Sequence, residues 1–516
     1  MRPRDDDAYA RGLWVRSTLA DALREAARVT PDRIGLIDGE IRLDCRELHA
    51  RAHALAGALA ARMAAGSVVS FMLPNWHEAA VVYHAATLAG MVVNPILPSL
   101  RDHELSFILA DAESRIIFVP AIFRGYDYSA MLSRVIATID DPAEVVVVRG
   151  AAGAHTSYDD LFDAASGECP ATLDPDAVRM IMYTSGTTGR PKGVLHSHNT
   201  IHALIAQIRD NWRIDPGDTF LVPSPIAHIG GSIYAFECPL LTGSTAVLME
   251  SWDATAAVTL MTSERCTHMA GATPFLEQIL AAAQAAGTGL PDLKVFICGG
   301  AGVPPSLIRR ATAYFDRAAV SRVYGSTEVP VTTVGALDDP DRAADTDGRP
   351  GIAGIRLVDG EIRARGPQML VGYRHPEDEL GAFDANGFVR TGDLGRWDGD
   401  CLVVTGRAKD VIIRNGENIS PKEVEDVLVG HPAIAEVAIV GVPDARTGER
   451  ACAVIVAASN GGRPDVSDLR EFLEAHGMAR FKVPEQVAIW AELPKNDAGK
   501  VLKHRIRATL NAVESG

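Results

Sequence analysis

No C-x-x-C pair occurs among the seven cysteines of this 516-residue chain (Cys45, Cys169, Cys238, Cys266, Cys298, Cys401, Cys452), and their number is odd. That excludes a zinc ribbon and argues against a disulfide framework, so reduced thiols are expected. A surplus of positive charge is missing as well: 50 Lys and Arg stand against 66 Asp and Glu, a formal net charge of −16. Such a mean field repels nucleic acid and acidic membrane surfaces, and neither is expected as a partner. Long apolar runs are absent with one exception. The uncharged stretch from Ala79 to Leu100 is broken by Asn94, Pro95 and Pro98, which reads as a buried helix to Gly90 and an apolar strand Met91-Val92-Val93 rather than a membrane span. The start, Met1-Arg2-Pro3-Arg4-Asp5-Asp6-Asp7, has no apolar stretch behind its basic residues, and Glu514-Ser515-Gly516 is neither a prenylation nor a peroxisomal signal. A cytoplasmic protein without integral membrane association is the expectation.

What is present is an ordinary globular composition, 47% apolar and 22% charged, long enough for several domains. From Leu19 to about Pro120 helical spacing alternates with short apolar runs such as Val68–Leu73 and Ile116–Val119, the rhythm of α/β layers. Residues 150–176 read as a surface loop. Then come a strand Met180–Tyr183, a Gly/Thr/Ser loop, a helix with Ile201, Leu204, Ile205, Ile208 and Trp212 on one face, strands at Val295–Cys298 and Arg322–Tyr324, and an acidic loop from Asp338 to Gly348. After Asp400 the texture shifts to a smaller mixed unit. Ser420, Pro421 and Glu423 spell a capped helix start, followed by strands Val437–Val442 and Ala451–Val456, a helix near Leu469–Leu473, a strand Val487–Trp490 and a basic C-terminal helix. The expected fold is α/β: a large N-terminal domain of layered subdomains, residues 1–406, and a smaller, mobile α+β C-terminal domain, residues 407–516.

The segment Tyr183-Thr184-Ser185-Gly186-Thr187-Thr188-Gly189-Arg190-Pro191-Lys192-Gly193-Val194 packs hydroxyls, glycines and a lysine behind a strand. Backbone N–H groups freed by glycine, hydroxyl donors and a compensating ammonium suit phosphate. The G-x-x-x-x-G-K-[ST] pattern is not met, because Lys192 is followed by Gly193, which argues against a kinase or GTPase.

This segment resembles, nearly residue for residue, the phosphate loop of the adenylate-forming superfamily of acyl-CoA synthetases, luciferases and peptide-synthetase adenylation domains. Further segments resemble that family in its own order: Pro225–Gly231, with His228 in the acyl pocket; Cys298-Gly299-Gly300-Ala301-Gly302 beside the adenine; Tyr324-Gly325-Ser326-Thr327-Glu328, with a stacking tyrosine and a magnesium-binding glutamate; Thr391-Gly392-Asp393 and Gly406-Arg407-Ala408-Lys409-Asp410, with the ribose-binding aspartate and arginine and Lys409 at the hinge; and Pro494–Lys500, with the catalytic lysine.

The resemblance implies an acyl-CoA ligase: carboxylate and ATP give acyl-AMP and pyrophosphate, then a thiol displaces AMP. Lys500, Glu328, Thr188 and His228 would form the catalytic set. Thr184, Ser185, Gly186, Thr187, Thr188, Gly189 and Lys192 would hold the phosphates; Gly299, Gly300, Ala301, Tyr324, Gly325 and Thr327 the adenine side; Asp393 and Arg407 the ribose; Lys409 and Gly416 the rotated state that admits coenzyme A. Glu328 and Thr184 would carry Mg²⁺, a hard ion that prefers oxygen. The chain departs from the pattern at Ile413 and Asn415, where some relatives carry lysines, leaving Arg414 as a substitute contact for coenzyme A, and at Arg322, where part of the family has glutamine. Ala227-His228 offers no carboxylate for an amino group, which favours a simple organic acid, and no carrier domain follows Lys500, which favours free coenzyme A. The Ala-rich 279–286 and the Gly230-Gly231 pair suggest room for a medium-chain or alicyclic acyl group; a long-chain or aromatic acid and a homodimer stay open. Acyl transfer to a separate carrier protein and a silent nucleotide-binding homologue are the alternatives. Cys298 is expected to pack rather than react, and His196 and His198, two apart on a strand face, to bind no zinc.

Overall fold

Short runs rich in valine and isoleucine, each trailing a helix, assemble two mostly parallel sheets in a computed structural model that describes residues 6–163, 167–185, 190–300, 302–414, 417–444, 446–459, 462–496 and 499–514. One sheet has eight strands in the spatial order Gly372–Tyr373, Pro191–Ser197, Val178–Ser185, Val92–Pro95, Val68–Phe71, Ser114–Pro120, Glu144–Val148, Thr156–Ser157. The other has seven, in the order Ala319–Arg322, Val295–Cys298, His268–Gly271, Thr219–Val222, Thr245–Leu248, Ile34–Asp38, Ile41–Asp44. The largest core lies between them, with Phe71, Tyr83, Phe118, Leu204, Trp212, Phe220 and Phe236 at 1% exposure or less. The helix His77–Leu88 runs through this layer and buries every residue except Glu78. Its uniformly apolar face explains why its stretch resembles a membrane span in sequence. Among the described residues no helix is long and apolar enough to cross a membrane.

A four-stranded antiparallel sheet (Gly354–Val358, Glu361–Arg365, Val389–Asp398, Cys401–Arg407) follows. After the short 3₁₀ turn Ala408–Asp410 the chain enters a separate sheet of Ile412–Arg414, Glu417–Ile419, Ile434–Asp444, Gly448–Ala457 and Gln486–Trp490, flanked by helices Pro421–Leu428, Val466–Ala475 and Lys503–Glu514. Each face of this sheet has its own apolar cluster.

Several local expectations are corrected. The phosphate-loop segment does not run straight into a helix: Pro191–Ser197 returns as an antiparallel strand, and the helix starts at His198. With Pro, Lys, Gly, His and Ser among its seven residues, this strand lacks the β-branched run that would announce it. His198 therefore caps no strand face with His196. The third strand sits at Ala319–Arg322, ahead of Val323 and Tyr324. The acidic 338–348 stretch holds a helix, Pro340–Asp345, because the Asp339 carboxylate accepts from Arg342 N and Pro340 stands at its first position. Residues 150–176 include the short strand Thr156–Ser157 and a 3₁₀ turn at Asp159–Asp163. Ser420 is an N-cap by backbone alone: its hydroxyl donates to Thr405 O at 2.5 Å, while Glu423 pairs with Lys482.

One ion pair is sealed between the large sheets. Arg179 is the second residue of the strand Val178–Ser185, Glu237 ends a π-helical turn, and their side chains are 3% and 1% exposed. Tyr83 OH donates to the same Glu237 oxygen and accepts from Arg179 Nη2. Glu237→Ala leaves the guanidinium buried without its counter-charge and is expected to destabilise the fold by about 3–5 kcal/mol in chemical denaturation. A loss below about 1 kcal/mol would show that water already screens the pair.

Candidate active site

The described ends of the phosphate-loop segment belong to two paired antiparallel strands, Val178–Ser185 and Pro191–Ser197. Thr184 lies opposite Lys192 and Ser185 opposite Pro191 in antiparallel register. The expected contacts Gly186, Thr187, Thr188 and Gly189, and the Ser185 side chain, lie outside the described residues, as do Ala301 and Gly416. Lys192 Nζ is 3.6 Å from the carboxylate of Asp378, which also accepts from Arg190 Nη2 at 2.8 Å. The same ammonium lies 5.6 Å from the Tyr373 ring centre, and Tyr373 OH donates to Glu328 Oε1 at 3.2 Å. Lys192 and Glu328 thus flank one tyrosine. Glu328 and Thr327 are pinned through their main chain: Leu370 N donates to Glu328 O at 2.8 Å, and His196 Nε2 reaches Thr327 O at 2.8 Å. Burial pushes His196 down to about 4, so it is a neutral imidazole donating from Nε2.

A second cluster joins the seven-stranded sheet to the four-stranded one. Gly299 and Gly300 follow the strand Val295–Cys298, and Tyr324 and Gly325 follow the strand Ala319–Arg322. Tyr324 N donates to Thr333 Oγ1 and Tyr324 OH to Asp393 Oδ2, both at 2.8 Å. Arg407 Nε holds the other oxygen of Asp393 at 2.8 Å from the adjacent strand. Both carboxylate oxygens are therefore engaged, and the aspartate is 7% exposed. Burial, reinforced by the Asp393 charge, raises the Tyr324 phenol far above its usual value, so it stays a donor.

Lys500 reaches this cluster from the small domain. Asn496 N donates to Lys500 O at 2.9 Å, Gly499 N to Asn496 O at 2.8 Å, and Lys500 N to Asn496 Oδ1 at 2.8 Å, so Asn496 holds both Gly499 and Lys500. Gly499 takes φ +75°, the left-handed region that favours glycine, and lies against Pro274 at the start of helix Thr273–Ala286. Burial lowers the Lys500 ammonium to about 8, the positive charge of Arg407 adding to the shift and Asp393 opposing it. Lys409 lies in the turn Ala408–Asp410 between the domains, and Asp410 pairs with Arg507 at 2.5 Å.

His228 precedes a short helix, Ile229–Ser232. Its Nε2 is buried without a partner among the described residues, and burial lowers its pKa, so the ring is neutral. Gly231 permits the tight return of this segment, since a Cβ would fall 2.2 Å from Pro225 O. Asn75 orders the same segment, donating to Val222 O and Ser224 O and accepting from Ile226 N.

Other candidates are placed elsewhere. Ile279, Leu280 and Ala283 of the Ala-rich segment pack into the core beside the seven-stranded sheet. Arg322 is buried and donates to Thr346 O and Val303 O. Arg414, the proposed substitute contact for coenzyme A, pairs with Glu485 at 2.6 Å and donates to Phe481 O. Cys298 is buried and pushed up to about 12, a thiol that packs. Among the described residues Asp38, His77 and Glu78 form the one cluster with metal-ligand geometry, and Arg149 already places its guanidinium 2.7 Å from both carboxylates. Tyr373, Asp378 and Asn75 escape sequence reasoning, as does the contact of His196 with Thr327, since each acts through a partner more than 40 residues away and carries no local signal.

A two-domain enzyme with a hydroxyl- and glycine-rich anion loop and a lysine delivered from the smaller domain is the class this arrangement defines. A family model described as "AMP-binding enzyme" matches residues 23–374, and one for its C-terminal domain matches 423–500. The chain belongs to the AMP-binding, adenylate-forming enzymes. It is 33% identical to a medium-chain fatty-acid–CoA ligase of Escherichia coli (strain K12), over 96% of this chain and 91% of the relative. It is also 33% identical to a 3-[(3aS,4S,7aS)-7a-methyl-1,5-dioxo-octahydro-1H-inden-4-yl]propanoyl:CoA ligase of Rhodococcus jostii (strain RHA1), over 95% and 98%. Among solved structures, ATP-bound MatB from Rhodopseudomonas palustris superposes with a TM-score of 0.85 at 28% identity, covering 96% of this chain and 99% of that one.

Proposed function

We propose that the protein is an ATP-dependent carboxylic acid:CoA ligase that forms an acyl-adenylate and pyrophosphate, then an acyl-CoA and AMP. The observation that carries this reading is the position of Lys500, brought by the small domain into the field of the Asp393–Arg407 pair. Two anions, a carboxylate and a triphosphate, must meet, and a partly desolvated ammonium preorganised at that place lowers the barrier more than one in water. Lys192 and the hydroxyls of Thr184, Ser185, Thr187 and Thr188 hold the outer phosphates; Lys192 exchanges its Asp378 contact for theirs. Asp393 takes the ribose hydroxyls, with Arg407 fixing its orientation, and the Tyr324 ring takes adenine beside Gly299, Gly300, Ala301, Gly325 and Thr327.

Glu328 fits a magnesium ligand: only Oε1 is engaged among the described residues, by the Tyr373 hydroxyl, which leaves carboxylate oxygen for a hard cation. Thr184, opposite Lys192 in the paired strands, would be the second oxygen donor. When bound, Mg²⁺ supplies charge neutralisation at the phosphates. His228, neutral and with Nε2 free, marks the head of the acyl pocket, and Gly416 with the Lys409 hinge serves thiol entry. The relatives support a medium-chain or alicyclic acid. Purified protein with ATP, Mg²⁺, coenzyme A and such an acid is expected to release AMP and pyrophosphate in step with thioester; ADP and phosphate would defeat the reading.

A pH dependence follows from Lys500. The ammonium is the working form, and its pKa is lowered to about 8, so charge is present below that pH and lost above it. In kcat/KM, which reports the free enzyme, the adenylation rate is expected to fall about tenfold per unit above pH ~8. Lys500→Arg, which stays charged, is expected to be slower but to lack this alkaline limb. A limb of unchanged midpoint in that variant would assign the titration elsewhere.

A further inference from the structure

Two cations at the start of the strand Pro191–Ser197 share one counter-ion. Asp378 Oδ1 accepts from Arg190 Nη2 at 2.8 Å and stands 3.6 Å from Lys192 Nζ, while Asp378 Oδ2 is buried with no partner among the described residues. The carboxylate is 5% exposed, whereas both cations are partly exposed. Asp378 is also the anchored member of the group. Its N donates to His375 O at 3.1 Å as the chain enters the turn Pro376–Glu379. His375 Nε2 lies 2.7 Å from Asp111 Oδ1, and the second oxygen of Asp111 accepts from Tyr183 OH at 2.6 Å. Arg374 N donates to Gly193 O at 2.8 Å. The acidic turn is thereby fastened to both strands that lead to and from the phosphate loop. Lys192 is held less firmly: 3.6 Å is beyond hydrogen-bond length, and the ammonium also faces the Tyr373 ring at 5.6 Å.

In adenylation the acid's oxygen bonds to the α-phosphorus, the bond from that phosphorus to the bridging oxygen breaks, and pyrophosphate departs with the electron pair. Charge building on the leaving group calls for cations in the transition state. The same cations then hold the product back. Asp378 opposes that retention, because drawing Arg190 and Lys192 toward phosphate leaves its charge buried and uncovered, a state that is strongly unfavourable. Glu377, 4.0 Å from Arg190 and largely exposed, is screened by solvent and exerts little of this pull.

Resting on the ligase reading, we propose that Arg190 is a second pyrophosphate-binding cation beside Lys192, and that Asp378 is a positioning residue that competes with pyrophosphate for both and speeds its release. The sign of the effect separates this role from a structural one. A carboxylate that only steadied the two cations would loosen phosphate binding when removed; a competing carboxylate tightens it.

The test titrates purified full-length protein with pyrophosphate in the presence of Mg²⁺ by calorimetry, whose stoichiometry reports the folded fraction, and follows thioester formation at varied ATP. Asp378→Asn keeps the size and an acceptor oxygen for Arg190 while removing the charge. It is expected to bind pyrophosphate about tenfold or more tightly than the parent, since a buried negative charge beside the bound anion is gone. KM for ATP should fall with it, and kcat should fall about threefold or more as product release slows. Asp378→Glu, which keeps the charge, is expected to stay within about threefold of the parent in pyrophosphate affinity. Arg190→Gln is expected to weaken pyrophosphate about tenfold, both in the parent and in the Asp378→Asn background. In that background the Asp378 charge is gone, so the loss reports a contact of Arg190 with pyrophosphate itself.

Unchanged or weaker pyrophosphate binding by Asp378→Asn assigns Asp378 to holding the strands and overturns the inference. So does an Asp378→Glu variant as tight as Asp378→Asn, or an Arg190→Gln loss that disappears once Asp378 is neutral. Any of these in a parent that binds pyrophosphate and turns over an acid sinks this inference alone. A parent that binds no pyrophosphate and releases none from any acid sinks the ligase reading beneath it.

Discussion

Lys500→Ala is expected to lower acid-dependent pyrophosphate formation by roughly 10²–10³-fold, about 3–4 kcal/mol of transition-state stabilisation, the range for removing one preorganised oxyanion donor. The segment that carries Lys500 is fixed by three hydrogen bonds involving Asn496 and docks through Gly499 against Pro274. Truncation of the side chain leaves those backbone contacts in place. ATP affinity should therefore change little while kcat collapses, the pattern of an interaction made chiefly in the transition state. The step that uses preformed acyl-adenylate and coenzyme A should be spared, because it does not require the ammonium at the reacting phosphorus. Titration of nucleotide binding alongside single-turnover adenylation separates these quantities. A loss below about tenfold, or an equal loss in both steps, would remove Lys500 from the role given to it.

How much of this was legible beforehand depends on the range of the interaction. The strands at Val68–Phe71, Ser114–Pro120 and Val295–Cys298 announce themselves, because buried parallel strands are continuous apolar runs. Pro191–Ser197 did not, since its strand character comes from pairing with Val178–Ser185 and not from its own composition. The helix Pro340–Asp345 hid behind its charge: Asp339 and Pro340 are helix-start residues that an acidic stretch disguises as a loop. At the site, Tyr324, Glu328, Asp393, Arg407 and Lys500 come from segments with recognisable local patterns. Asp378 and Tyr373 have none and are brought to Lys192 and Glu328 only by folding. The Arg179–Glu237 pair is the extreme case. Fifty-eight residues separate the two charges, and nothing in either neighbourhood says that both are buried.

The hinge carries the last large effect. Arg407 is tied to Asp393 in the large domain at 2.8 Å, and Asp410 to Arg507 in the C-terminal helix at 2.5 Å. Whatever rotation admits coenzyme A must be absorbed between those two anchors, in Ala408 and Lys409, which form an exposed 3₁₀ turn. Lys409→Pro fixes one φ near −65°, inside the range of a 3₁₀ turn, so it opposes rotation while the present arrangement stays accessible with strain confined to Ala408, the residue before the proline. Adenylation is expected to stay within about threefold of the parent, and conversion of acyl-adenylate to thioester to fall by about tenfold or more, since gating motions set the rate of such steps. Burst-phase pyrophosphate without matching thioester is the signature, and acyl-adenylate should accumulate on the enzyme. Lys409→Ala, which removes the charge but frees the torsions, should restore thioester formation if rotation is the cause. Equal impairment of both half-reactions by the proline, or an alanine variant as slow as the proline one, would transfer the effect from backbone torsion to the lysine's charge.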